Sequence, residues 1–139
     1  MKHLLNSEKE TFEFAKNYAK KLKGGEIIGL IGNLGAGKTV FSRGLAAGLG
    51  IKNKITSPTF VLMKVYNVKK EVIKHFCHID AYRLKTEADL SAIGAEEYFG
   101  KPDTVTIIEW ADKTRNILPK NTKLIEFKIG KADKREINY

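Results

Sequence analysis

The run Gly32-Asn33-Leu34-Gly35-Ala36-Gly37-Lys38-Thr39 restricts this chain more than any other feature. It fits G-x-x-x-x-G-K-[ST], a loop whose glycines let successive backbone N–H groups turn into one concavity that holds phosphate oxygens. Such a loop needs a strand before it and a helix after it, and both are legible. Residues 26–31 (EIIGLI) are a short apolar run of the kind buried on both faces of a sheet. From about Lys38 to Leu49 the pattern is helical and Gly50 ends it, so the positive end of the helix dipole points at the same concavity. In this arrangement Lys38 extends to the β- and γ-phosphates and the Thr39 hydroxyl is a ligand for Mg²⁺.

The rest of the chain supplies a sheet around that unit. Ser7 to Glu10 fit a capping box, with Ser7 accepting from the backbone and Glu10 reaching back to it. Phe12, Ala15, Ala19 and Leu22 then fall on one helical face before Gly24-Gly25. Residues 61–66 and 72–80 are strand-like and flank Asn67-Val68-Lys69-Lys70, a hairpin signal. Residues 86–93 make a short acidic helix capped by Thr86, and 95–99 a further turn. Residues 104–109 form an apolar strand, and 123–129 with 134–138 a final pair around Gly130. One β–loop–α unit followed by strands with few crossover helices predicts an α/β fold: a P-loop NTPase-like mixed β-sheet, with parallel and antiparallel strands, flanked by a few helices.

At 139 residues with 42% apolar content, a single domain over 1–139 is expected. No apolar run approaches a membrane span, and the N-terminal segment lacks an apolar stretch long enough for a secretory signal, so a cytoplasmic location is expected. The one cysteine, Cys77, reads as a small buried hydrophobe. Net charge is +9, and only residues 81–110 run acidic. A basic surface favours phosphate-rich partners, yet most of the basic residues are lysine, which commonly just solvates a surface.

A phosphate loop of this type needs a carboxylate near the metal. Two candidates end apolar strands, Asp80 and Glu109, and in open α/β sheets ligands gather at the carboxyl ends of strands. One would hold Mg²⁺ directly or through water and the other would orient the attacking water; the residues alone do not divide the roles. His75 and His78 lie three apart in a strand and face opposite ways, so they cannot chelate one ion, and His3 falls in a terminus expected to be mobile. Trp110, directly after Glu109, reads first as packing.

Within the P-loop class, guanine specificity is disfavoured. Asn53-Lys54-Ile55-Thr56 places Thr where an N-K-x-D segment needs Asp, and Asp80 is not followed by a D-x-x-G switch. With four arginines and no long insertion, little chain is left for the acceptor site and lid of a small-molecule kinase. A minimal ATPase acting on a partner remains.

GNLGAGKT at 32–39, TSPTF at 56–60, HIDAYRL at 78–84 and IEW at 108–110 occur in the order and spacing of the bacterial TsaE (YjeE) family, which the chain resembles over nearly its whole length. The resemblance implies a small ATPase that works with a TsaB–TsaD pair to sustain turnover in making threonylcarbamoyladenosine on tRNA, with tRNA met indirectly or through the complex. It further implies that Gly32, Asn33, Leu34, Gly35, Ala36, Gly37, Lys38, Thr39 and Val40 bind the phosphates of ATP, with Thr39 and Glu109 as Mg²⁺ ligands and Lys38, Asp80 and Glu109 as the catalytic set. Ser57 and Thr59, around Pro58, would sense the γ-phosphate, and Asp80, Tyr82 and Arg83 would form a second such loop. Adenine would rest near Glu8 and Thr11, with Arg135 from the last strand. Two other readings compete: a phosphotransferase with an acceptor other than water, and an RNA-binding module using the basic surface, for which interleaved aromatics are not evident. The basic 111–139 segment is a candidate partner or tRNA contact, or else a solvated edge hairpin protected by lysines.

Overall fold

In a computed structural model, residues 1–33, 35–52, 55, 62–84, 86–132 and 134–139 are described. One sheet of seven strands organises them. In chain order the elements are β1 (Lys2–Leu5), α1 (Glu8–Ala19), β2 (Ile27–Ile31), α2 (Lys38–Gly48), β3 (Met63–Asn67), β4 (His75–Asp80), α3 (Glu87–Ala92), β5 (Thr104–Glu109), β6 (Lys123–Ile129) and β7 (Arg135–Asn138). Short 3-10 segments at Ala95–Glu97 and Ala111–Ile117 complete them.

The strand order is β1-β7-β6-β2-β5-β4-β3. Strands β6, β2, β5 and β4 are mutually parallel, while β1, β7 and β3 add antiparallel margins. The expected mixed sheet is therefore present. The strand β2 has to be apolar throughout because it is covered twice. Ile28 and Leu30 join Phe41, Leu45, Ile107 and Phe127 under α1 and α2, whereas Ile27 joins Cys77, Ile79, Ile108 and Leu90 on the opposite face. Cys77 is fully buried, and burial pushes its thiol up to about 12.

Helix α1 starts as the sequence predicts, with Ser7 Oγ accepting from Glu10 N at 3.1 Å. The reciprocal contact lands one residue earlier than expected: Glu10 Oε2 accepts from Asn6 N at 2.7 Å. Thr11, Ala15 and Ala19 form the buried stripe. Phe12 and Leu22 are only half-buried, since the α-helix has ended before Leu22.

Close approach of α1 and α2 explains Gly44 inside α2 and Gly48 at its end. A Cβ on Gly44 would lie 2.4 Å from the Phe12 carbonyl oxygen and 2.8 Å from Ala15 Cβ. Alanine is the better helix former by about 0.8–1 kcal/mol, but here it would press on backbone that cannot give way. Gly44→Ala is expected to lower stability by about 2 kcal/mol, seen as a reduced thermal midpoint; an unchanged or raised midpoint would show the helices can part.

Two expectations are corrected. Residues 2–5 are a strand, so His3 is not in a mobile tail: it pairs with Ile137, and its ring lies 4.8 Å from that of Phe14. The hairpin β6–β7 is not a sheet edge, because β2 pairs one side of it and β1 the other. The Thr86 cap and the turn at 95–97 follow expectation. The strands β3 and β4 pair antiparallel as expected, but Asn67 is still in β3 and β4 begins at His75, so the connection is 68–74, not 67–70; Val61 lies outside the described residues.

Candidate functional site

The carboxyl ends of β2, β4 and β5 meet at one place. Ile31 ends β2 and feeds the glycine loop, Asp80 ends β4 and Glu109 ends β5, with Asp80 and Glu109 paired in register. Gly37 takes the left-handed conformation (φ 103°), which lets the chain turn directly into α2. No side chain caps the helix start, so its first N–H groups face the loop concavity.

A cavity of about 340 Å³ opens there, lined by Glu8, Gly35, Ala36, Gly37, Lys38, Thr39, Val40, Asp80, Tyr82, Arg83, Glu109 and Trp110. The structure thus brings together most of the residues singled out from sequence, from four separate stretches of chain. Gly32 and Asn33 are placed otherwise. They line a neighbouring cavity on which Trp110 also borders, and their carbonyl oxygens receive the Lys38 ammonium, Asn33 O at 3.1 Å. Thr11 is buried beside Gly37 with its hydroxyl on Ser7 O at 3.3 Å, so it supports the loop from behind. Arg135 donates to Gly35 O at 3.1 Å and so braces the glycine loop from β7. Leu34, Ser57, Pro58 and Thr59 lie outside the described residues.

Lys38 is the electrostatic centre. Burial pushes its ammonium below the ordinary lysine range, while Glu109, Asp112 and Asp80 draw it back up. Its Nζ sits 3.6 Å from the Trp110 ring centroid, a cation–π contact that partly replaces lost hydration. Trp110 is therefore more than packing. It adopts a left-handed φ of 61°, strained for a bulky residue, which turns its indole back over Lys38 and within 4.9 Å of the Tyr82 ring.

Asp80 and Glu109 occupy different environments. The half-buried Asp80 accepts from Tyr82 N at 2.9 Å and so shapes the turn after β4. Glu109 is 2% exposed, and its Oε1 accepts from Thr39 Oγ1 at 2.9 Å. A hydroxyl and a carboxylate oxygen side by side are the hard donor set that suits Mg²⁺. Glu109 also meets two residues that sequence reasoning did not connect with it, His78 and Ser42. Spacing puts His78 and Asp80 on one face of β4, but only the β4–β5 register brings that face to Glu109.

Comparison with known proteins places the whole chain among relatives. The family model described as "Threonylcarbamoyl adenosine biosynthesis protein TsaE" matches residues 5–137. A Bacillus subtilis protein named tRNA threonylcarbamoyladenosine biosynthesis protein TsaE is 38% identical over 130 residues, covering 94% of this chain and 78% of the relative. A Treponema pallidum protein of the same name is 37% identical over 138 residues, covering 99% and 98%. The crystal structure of Bacillus subtilis YdiB superposes with a TM-score of 0.81 at 34% identity, covering 99% of this chain and 82% of that one.

Proposed function

The chain belongs to the TsaE family, and from that premise we propose that it is the ATP-hydrolysing component of the tRNA N6-threonylcarbamoyladenosine modification system, one ATPase domain working with a TsaB–TsaD-type heterodimer. The observation that carries the reading is the contact of Thr39 Oγ1 with Glu109 Oε1 at 2.9 Å in the wall of the phosphate-loop cavity. It joins the hydroxyl of the loop to a strand-end carboxylate, the pair a Mg²⁺–nucleotide site requires.

The backbone N–H groups of Gly35 to Val40 receive the phosphate oxygens. Lys38, already stripped of much of its water, leaves the Gly32 and Asn33 carbonyls or shares them to meet the β- and γ-phosphates. Thr39 and Glu109 would hold Mg²⁺, which would supply positive charge against the phosphate oxygens. Asp80 orients the attacking water from the end of β4. Ser57 and Thr59 sense the γ-phosphate, and Tyr82 and Arg83, with Asp80, form the second such loop. Glu8 and Arg135 flank the nucleoside, with Thr11 behind them.

Hydrolysis by the chain alone is expected to be slow, because an isolated phosphate loop is a poor catalyst without a partner to complete its charge stabilisation. ATP turnover measured alone and then with a TsaB–TsaD pair tests this. Turnover well above the sum of the separate components supports the reading. A rate unmoved by the pair would remove the partner from it, and phosphate transfer to an acceptor other than water would replace it.

A further inference from the structure

The two oxygens of the Glu109 carboxylate keep different company. Oε1 faces the phosphate loop and accepts from Thr39. Oε2 faces inward, 2.5 Å from His78 Nε2 and 3.4 Å from Ser42 Oγ. Ser42 has a single hydroxyl hydrogen, and its shorter contact is with Lys38 O at 3.1 Å, inside its own helix. His78 is therefore the principal donor to Oε2.

Among the described residues the other ring contact of His78 is stacking on Phe76, at 6.3 Å between centroids, which any flat ring could make. The His78 side chain is 0% exposed, and its other nitrogen, Nδ1, is buried without a hydrogen-bond partner among the described residues. A core position that leaves one ring nitrogen unsatisfied is costly, and an apolar residue would fill the space without that cost. The geometry on β4 explains what the ring gains. His78 pairs with Ile107 and Asp80 with Glu109, so His78 reaches diagonally along one face of the sheet to the end of β5.

We propose that His78 is a positioning residue for Glu109: by donating Nε2–H to Oε2 it fixes the carboxylate so that Oε1 stays beside Thr39, turned toward Mg²⁺. The inference rests on the reading of Thr39 and Glu109 as the metal side of the site. A partner of this kind behind a metal-binding carboxylate orients it and excludes rotamers that turn the ligand away.

Binding of ADP, measured by calorimetry in Mg²⁺ and again in EDTA, tests it without turnover. Gln places an amide N–H near the level of His Nε2, whereas Asn stops near the level of Nδ1 and cannot reach Oε2. His78→Asn is expected to lose about tenfold of the Mg²⁺-dependent gain in ADP affinity while its affinity in EDTA stays unchanged. His78→Gln and Ser42→Ala are expected to keep the wild-type gain. Equal behaviour of the Asn and Gln variants, or an equal loss in EDTA, would overturn the assignment. If His78→Asn does not fold, His78→Phe, which fills the ring volume without a donor, takes its place with the same expected loss. A wild-type protein whose ADP affinity ignores Mg²⁺ would instead refute the metal reading of Thr39 and Glu109 itself.

Discussion

Lys38→Met is expected to reduce ATP turnover by about 10²–10³-fold while leaving the fold at least as stable as before. The two halves of that expectation share one cause. Lys38 is 5% exposed and reaches the carbonyl oxygens of Gly32 and Asn33, with the Trp110 ring beneath it. Burial holds its ammonium below the ordinary range despite the pull of Glu109, Asp112 and Asp80. A lysine whose folded pKa lies below its unfolded value subtracts stability wherever it is charged. That penalty is fully present below the folded value and disappears as pH rises through the unfolded one. Methionine keeps the apolar stem against Trp110 and removes the charge, so the nucleotide-free protein loses none of its stability. What disappears is the cation aimed at the phosphates. Thermal unfolding without nucleotide and phosphate release with ATP check the two halves separately; a large drop in thermal midpoint would mean that the ammonium helps hold the loop together.

Glu109→Gln is the second large effect, a fall of about 10²–10³-fold in Mg²⁺-dependent turnover with the fold preserved. The amide is nearly isosteric. Its oxygen still accepts from Thr39, and its NH₂ can donate to His78 once the imidazole takes its other tautomer. Only the negative charge facing the metal is lost. Glu109→Ala is harsher, because the fully buried His78 would be left without its acceptor, at about 1–3 kcal/mol for the unsatisfied group, and the half-buried Thr39 would lose its carboxylate partner. Comparing the two variants separates the charge from the scaffold: ADP affinity in EDTA should survive in the glutamine variant. If the glutamine variant turned over ATP normally, the metal-side role would have to pass to Asp80.

The parts of the site that were legible in the sequence are those held together by neighbours in the chain. The loop from Gly32 to Thr39 carries its own strand, turn and helix, and strand-end carboxylates follow from where parallel strands stop. Strand β1 was not legible. Its four residues KHLL have no alternation of their own, and it exists because the antiparallel β7 offers a free edge at the far end of the sequence. The diagonal from His78 to Glu109 was hidden for the same reason, since it depends on the register of two strands and not on spacing within either. Trp110 was misjudged because its importance comes from a left-handed backbone that redirects a large ring, and a bulky residue gives no warning of that conformation. The contact of Arg135 with Gly35 was anticipated only in outline, as an arginine near the nucleotide.

The pairing of β2 has a consequence for how the molecule assembles. The strand that launches the phosphate loop stands early in the chain, yet both of its sheet neighbours, β5 and β6, come from the last third. Parallel pairing across such separations requires closing long loops before any contact rewards the closure. The helices α1 and α2 can meet early, being close in sequence, but the strand beneath them has nothing to pair with until the chain is nearly complete. The cradle for the nucleotide is thus among the last features to take shape, and a nascent or truncated chain lacking β5 holds the full glycine-rich motif without the sheet that makes it a pocket.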